Sequence, residues 1–279
     1  MADRAHGIVS VLGVRFQVMT RREAAEAIAS LARADGKAYV VKPYSEFLPL
    51  ARRDERVRAI LAGADLCLAD GVGILWAAHY LSLPGGTVRA LLQLPMSLAT
   101  MLLDPQAIRR PLPEPMAGAD LTWEMLGALE RADARVFLLG GTSTEVEGSR
   151  RAIERRLPAL RIAGSHPGHF KRRGSENDDV VAQVNAAAPD ALLVAMGFPR
   201  QEIWIAENLD RLNVHVAVAE GGSFTFLAGA LPRAPRWMRR AGLEWLFRLA
   251  RQPWRLRRQL ALPMFVWLVL LERVRVVRR

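Results

Sequence analysis

The sequence predicts an α/β fold, a doubly wound parallel sheet with a basic amphipathic helical C-terminal appendage, on three observations. Between residues 120 and 219 short apolar runs alternate with segments of helical periodicity, the order expected of a sheet covered by helices on both faces. Several of those runs end in a junction that combines glycine with polar residues, as the ligand-binding edge of such a sheet requires. From Arg233 onward thirteen arginines stand against Glu244 and Glu272, so the tail holds the whole net charge of +11 and residues 1–232 are close to neutral. The chain therefore divides into an α/β core, 1–232, and an appendage, 233–279.

In chain order, Thr20 with Glu23 makes a capping box that opens a helix running to residue 34. A strand follows at 38–41. Lys42-Pro43-Tyr44-Ser45-Glu46 is then a strand-to-helix junction, because proline turns the residue before it away from helical angles and can itself begin a helix. Lys42 and Glu46 read equally well as an exposed charge pair. In the stretch 60–80 a strand at 66–69 runs into Asp70, Gly71 and Gly73 and then into an apolar helix. Residues 87–103 form a strongly apolar helix, below the length needed to span a bilayer, destined for the core or for a membrane surface. Pro105, Pro111, Pro113 and Pro115 make the next segment a rigid linker. Beyond Asp120, strands at 135–139, 161–165, 191–195 and 215–219 alternate with helices at 121–131, 145–157, 179–187 and 201–208.

Chemistry concentrates at the junctions. Asp70 stands where a strand's C-terminal end meets a helix, so its carboxylate can face a crevice and serve as a base; aspartate at such a place also caps helices. Gly140-Gly141-Thr142-Ser143 offers backbone N–H groups to a phosphate or nucleotide. Gly197-Phe198-Pro199-Arg200-Gln201-Glu202 sets two polar side chains in a helix's first turn, and Gly221-Gly222-Ser223 repeats the design after the last strand. The candidate substrate contacts are Lys42, Tyr44, Gly71, Gly140, Gly141, Gln201, Glu202 and Gly222. Neither glycine pair completes the dinucleotide fingerprint, so no such cofactor is read. No metal site is read either: His166 and His169 belong to a polar loop, and there is no Asp-x-Asp pair to hold a divalent ion on a diphosphate. Cys67, the single cysteine, sits inside an apolar run and reads as a buried structural thiol.

The tail's arginines alternate with Trp237, Trp245, Leu246, Phe247, Trp254, Leu256 and an apolar run at 260–271 that Pro263 interrupts. Tryptophan and arginine together suit the headgroup boundary of an anionic membrane better than nucleic acid, and twelve apolar residues lie on a bilayer rather than cross it. The amino-terminal residues show no secretory leader, so a cytoplasmic location is expected.

The segments ADLCLADGVGILWAA, GFPRQEIW, GGSFTFLAG and RAPRWMRRAGLEWLFRLARQPWRLRR, in this order and spacing, resemble the bacterial WecG/TagA/CpsF glycosyltransferases, glycosyltransferase family 26, from about residue 40 to 258. The resemblance implies a Rossmann-like core whose C-terminal appendage helps complete the active site. It also implies transfer of a sugar such as N-acetylmannosamine from a UDP donor to an undecaprenyl-diphosphate-linked acceptor at the inner face of the cytoplasmic membrane. By position, the family's catalytic base falls on Asp70, its glutamine on Gln201, and its active appendage arginines on Arg248, Arg255 and Arg258. Lys42-Pro43-Tyr44 stands where the family commonly has Thr-Pro-Asn, Pro115-Met116-Ala117-Gly118 where it has Arg-Val-Thr-Gly, and Thr225 at the aspartate of its GxFD, which makes Thr225 a further candidate substrate contact.

The resulting expectation is a peripheral, metal-independent, inverting glycosyltransferase of cell-envelope polysaccharide synthesis, with homo-oligomerisation left open. The alternative is a catalytically inactive paralogue that binds a sugar nucleotide or scaffolds a polysaccharide-assembly complex.

Overall fold

The computed structural model describes residues 7–116, 118–231, 234, 235, 238, 244–251, 256 and 260–277. It begins with a hairpin that the sequence reading passed over, β1 (Ile8–Val11) and β2 (Val14–Gln17). Leu12 and Gly13 between them both have positive φ, 51° and 81°, the turn geometry that matches the twist of paired strands. The helix α1 (Arg21–Leu31) opens on the expected box: the Glu23 N–H donates to Thr20 Oγ1 at 3.2 Å and the Thr20 N–H to the Glu23 carboxylate at 2.7 Å. Then come β3 (Ala38–Val41), α2 (Phe47–Arg53), α3 (Glu55–Ala62), the short β4 (Leu66–Cys67), α4 (Val72–Ser82), α5 (Thr87–Leu103) and α6 (Gly118–Arg131). The alternating part continues as β5 (Arg135–Gly140), α7 (Ser143–Arg156), β6 (Arg161–His166), α8 (Ser175–Ala187), β7 (Ala191–Ala195), α9 (Arg200–Asn208), β8 (Val216–Ala219) and α10 (Ser223–Leu227). Two further helices are α11 (Glu244–Arg251) and α12 (Ala261–Val277).

Strands β3 to β8 make one parallel sheet in the order β4-β3-β8-β7-β5-β6. Successive side chains on β5, β7 and β8 take opposite sides: Val136, Leu138, Leu193 and Val218 join a core with α1, α6, α7 and α10, while Phe137, Leu139, Leu192 and Ala217 join one with α8 and α9. The doubly wound class stands. With all six strands parallel, their C-terminal ends share one edge.

A third core lies beyond the β4 side of the sheet, where the hairpin, α4 and α12 pack together through Val11, Phe16, Trp76, Tyr80, Phe265 and Val269. Here α12 is part of the core, since one of its faces buries Phe265, Val269, Leu270 and Arg273. The Arg273 guanidinium donates to the carbonyls of Tyr80 and Leu83, the latter at 3.1 Å, and to Gln93 Oε1, and lies 4.4 Å from the centre of the Tyr80 ring. Carbonyls in a helix's last turn lack partners within the helix, so Arg273 closes the end of α4. The reading of 260–271 as resting on a membrane therefore holds for one face of α12 at most. Helix α5 takes the opposite course from a core helix: of its seventeen residues only Ala90 and Ser97 are buried.

Candidate active site

Six loops leave the C-terminal edge of the sheet, one after each strand. Asp70 follows β4 and is half-buried, its N–H donating to the Pro43 carbonyl at 3.2 Å, while the Ala69 carbonyl accepts from Met116 N–H at 2.9 Å. The two loops after β3 and β4 thus form adjacent walls. Gly71, with φ +82°, occupies the N-cap position of α4, so Asp70 stands one residue before the cap. That backbone angle is one L side chains resist, and it turns the chain from strand into helix directly beside the carboxylate.

Lys42 is buried and does not form the exposed pair with Glu46. Its Nζ lies 2.6 Å from Glu220 Oε1, with side-chain exposures of 4% and 0%, and Thr122 donates to the other Glu220 oxygen. Two charges this deep require each other, because an isolated ion in the interior is costly. Ser223 donates to the Glu220 carbonyl at 2.8 Å and closes the loop after β8. Glu220 and Thr122 were not singled out in the sequence; a charged residue at a strand's end, as at Lys42, was the available signal.

Gln201 is also buried and joins two loops: its Oε1 accepts from the N–H groups of Gly197 at 3.1 Å and Gly221 at 2.9 Å, and its Nε2 donates to Glu202 Oε1 at 2.9 Å. Tyr44 and Phe198 are brought together through Phe47, whose ring lies 4.0 Å from the first and stacks at 3.3 Å on the second. The three rings form one aromatic cluster that joins the segments after β3 and β7.

On the far side, Gly140 has φ +133°, and a Cβ there would stand 2.3 Å from the Ala195 carbonyl oxygen. Gly168, from the His166–His169 loop, lies against it and donates to the Gly141 carbonyl at 2.9 Å. Thr225 donates to Glu145 Oε1 at 2.7 Å. Burial pushes the Glu145 carboxyl up, but the Thr142 N–H, the hydroxyls of Thr225 and Thr142, and His169 together hold it below its ordinary value. Gly222 is the N-cap of α10. Burial raises the Cys67 thiol well above its usual range, in line with a structural role. Arg248 lies on α11; its side chain, and Arg255 and Arg258 altogether, fall outside the described residues.

The candidate residues lie on loops at the carboxyl ends of the parallel strands, with the half-buried Asp70 among them. A model of the glycosyl transferase WecG/TagA/CpsF family matches residues 9–102 and 89–279. The chain belongs to this family. As a family member it is a glycosyltransferase, and its two matched segments overlap on α5. Among similar proteins, an N-acetylglucosaminyldiphosphoundecaprenol N-acetyl-beta-D-mannosaminyltransferase of Bacillus spizizenii is 30% identical over 84% of this chain and 79% of its own. Proteins of the same name from Bacillus subtilis and Staphylococcus aureus are 36% identical over 56% of this chain and 60% of theirs, and 27% identical over 93% of this chain and 91% of theirs.

Proposed function

We propose that this glycosyltransferase moves an N-acetylmannosamine-like sugar from a UDP donor to a sugar carried on undecaprenyl diphosphate, with inversion at C1, in cell-envelope polysaccharide assembly. It works as a peripheral protein at the cytoplasmic face of the bacterial inner membrane. The observation that supports this best is that Asp70 stands at the end of β4 where the loops after β3 and β4 adjoin. The acceptor hydroxyl attacks C1 as its proton passes to Asp70, and the bond from C1 to the diphosphate breaks with its electron pair leaving on UDP. Direct attack from the face opposite the leaving group inverts the centre. Gln201 holds the loops after β7 and β8 in register beneath the donor. The names of the relatives support the sugar and the lipid acceptor, and no helix among the described residues is long and apolar enough to cross a membrane.

The test is to mix the full-length protein with UDP-N-acetylmannosamine and a short-chain N-acetylglucosaminyl-diphosphate lipid and to measure UDP release together with disaccharide formation. Binding of the donor without product would replace the enzyme by an inactive sugar-nucleotide binder.

Two further results are expected. With arginines rather than an Asp-x-Asp pair to stabilise the departing diphosphate, activity should survive EDTA; loss on chelation restored by magnesium would show a metal at work. Single replacement of Arg248, Arg255 or Arg258 by alanine should lower kcat about tenfold or more with little change in vesicle binding, since each is a small part of the tail's charge. Unchanged kcat in all three would confine the tail to docking.

A further inference from the structure

Helix α5 is apolar on both sides: Leu94, Leu98 and Met101 pack against the third core, and a second apolar stripe faces away from the protein. Val88, Leu91, Leu92, Met96, Leu102 and Leu103 point outward, with Val88 71%, Met96 68% and Leu103 86% exposed. Their spacing follows one face of the helix along about 25 Å. Pro95 and Ala99 fill the gaps in that stripe, and both are exposed. The inner side is tied down, because Trp76 Nε1 donates to Ser97 Oγ at 3.0 Å and the Tyr80 hydroxyl to the Ala90 carbonyl at 2.7 Å.

These two bonds fix the direction of α5. Position 76 of α4 meets 97 and position 80 meets 90, so the helices run antiparallel and the C-terminal end of α5 approaches the end of α4 that carries Gly71 and Asp70. Helix α12 runs the other way: Phe265 lies 4.0 Å from the place of a Cβ on Gly73, while Arg273 reaches Tyr80. Its exposed apolar residues Met264 and Trp267, and Leu260 just before it, are therefore at the same end as Leu102 and Leu103. The exposed charges on the two helices and the turn after α5 are Arg89, Arg109, Arg110 and Arg275 against Asp104.

We propose that the outer faces of α5 and α12 together form a membrane-insertion surface that seats in the headgroup and acyl boundary of an anionic bilayer and holds Asp70 at the membrane plane. An apolar face bordered by arginines complements a layer of anionic headgroups, whereas a second copy docked about a two-fold axis would bring one basic border against another. Its α5 half lies outside the arginine-rich tail, and the surface deepens the proposed function, on whose lipid-linked acceptor its purpose rests. Such an acceptor presents its diphosphate at the headgroup level, where Asp70 would stand.

The experiment is co-sedimentation of the full-length protein with phosphatidylglycerol–phosphatidylcholine vesicles, comparing wild type with L92E/M96E, two exposed positions outside the catalytic machinery. The variant should partition at least about tenfold more weakly. In wild type, lipids brominated near the headgroup should quench tryptophan emission, and W267F should lose that part of the quenching. Unchanged partitioning of L92E/M96E overturns the proposal, as does a fall in self-association by sedimentation velocity with partitioning unchanged, which would make the face a subunit interface. Vesicle binding needs neither donor nor acceptor, so failure of the sugar-transfer reading would leave this result standing, and normal transfer to a soluble acceptor by a variant that still partitions would remove only the membrane face.

Discussion

Replacement of Asp70 by asparagine is expected to lower sugar transfer about a hundredfold or more, the scale of a lost general base, with folding and UDP binding nearly unchanged. Asparagine keeps the shape of the side chain and can keep a hydrogen bond, but it cannot take the acceptor's proton. The contact between the Asp70 N–H and the Pro43 carbonyl belongs to the backbone and survives the change, as does the turn at Gly71. The loss should therefore fall on kcat, with the UDP-induced rise in melting temperature preserved. Turnover close to wild type would end the assignment of Asp70 as base.

The second large effect concerns stability. Lys42→Met is expected to cost about 3–5 kcal/mol, because it strands the Glu220 carboxylate in a site that excludes water, with the Thr122 hydroxyl still donating to it. Removing both charges in Lys42→Met/Glu220→Leu should recover most of that loss, since the cost of desolvating the pair vanishes together with its attraction. Urea unfolding of the two single variants and the double variant measures the coupling. A single-variant cost below about 1 kcal/mol, the range of exposed pairs, would mean that water reaches the site.

The fold was largely legible because its strands β5, β7 and β8 are buried on both faces and so read as unbroken apolar runs. The hairpin β1–β2 was not, since each strand has four residues and exposed positions that weaken the pattern. Asp70 could be found locally from the glycines beside it. The partner of Lys42 could not: Glu220 lies 178 positions away, and only the adjacency of β3 and β8 brings the two together. Helix α5 shows a different limit. Its composition suits either a core or a lipid surface, and the choice depends on neighbours that periodicity does not encode. The run at 260–271 was read from its length and apolar character as lying on a bilayer, which hid the fact that α12 presents Phe265, Val269 and Leu270 to α4.

One contact bears on how the molecule is made. The Leu12 N–H in the hairpin turn donates at 2.7 Å to the Glu272 carboxylate, 260 positions later. At about 5–20 residues per second, the ribosome needs roughly 13–52 s to travel between them. Throughout that interval the hairpin, and from residue 82 onward the apolar sides of α4, await the helix that will cover them, so this third core must assemble after synthesis has passed α12. Biogenesis therefore includes a window in which a chaperone or a nearby membrane can occupy the place that α12 finally takes.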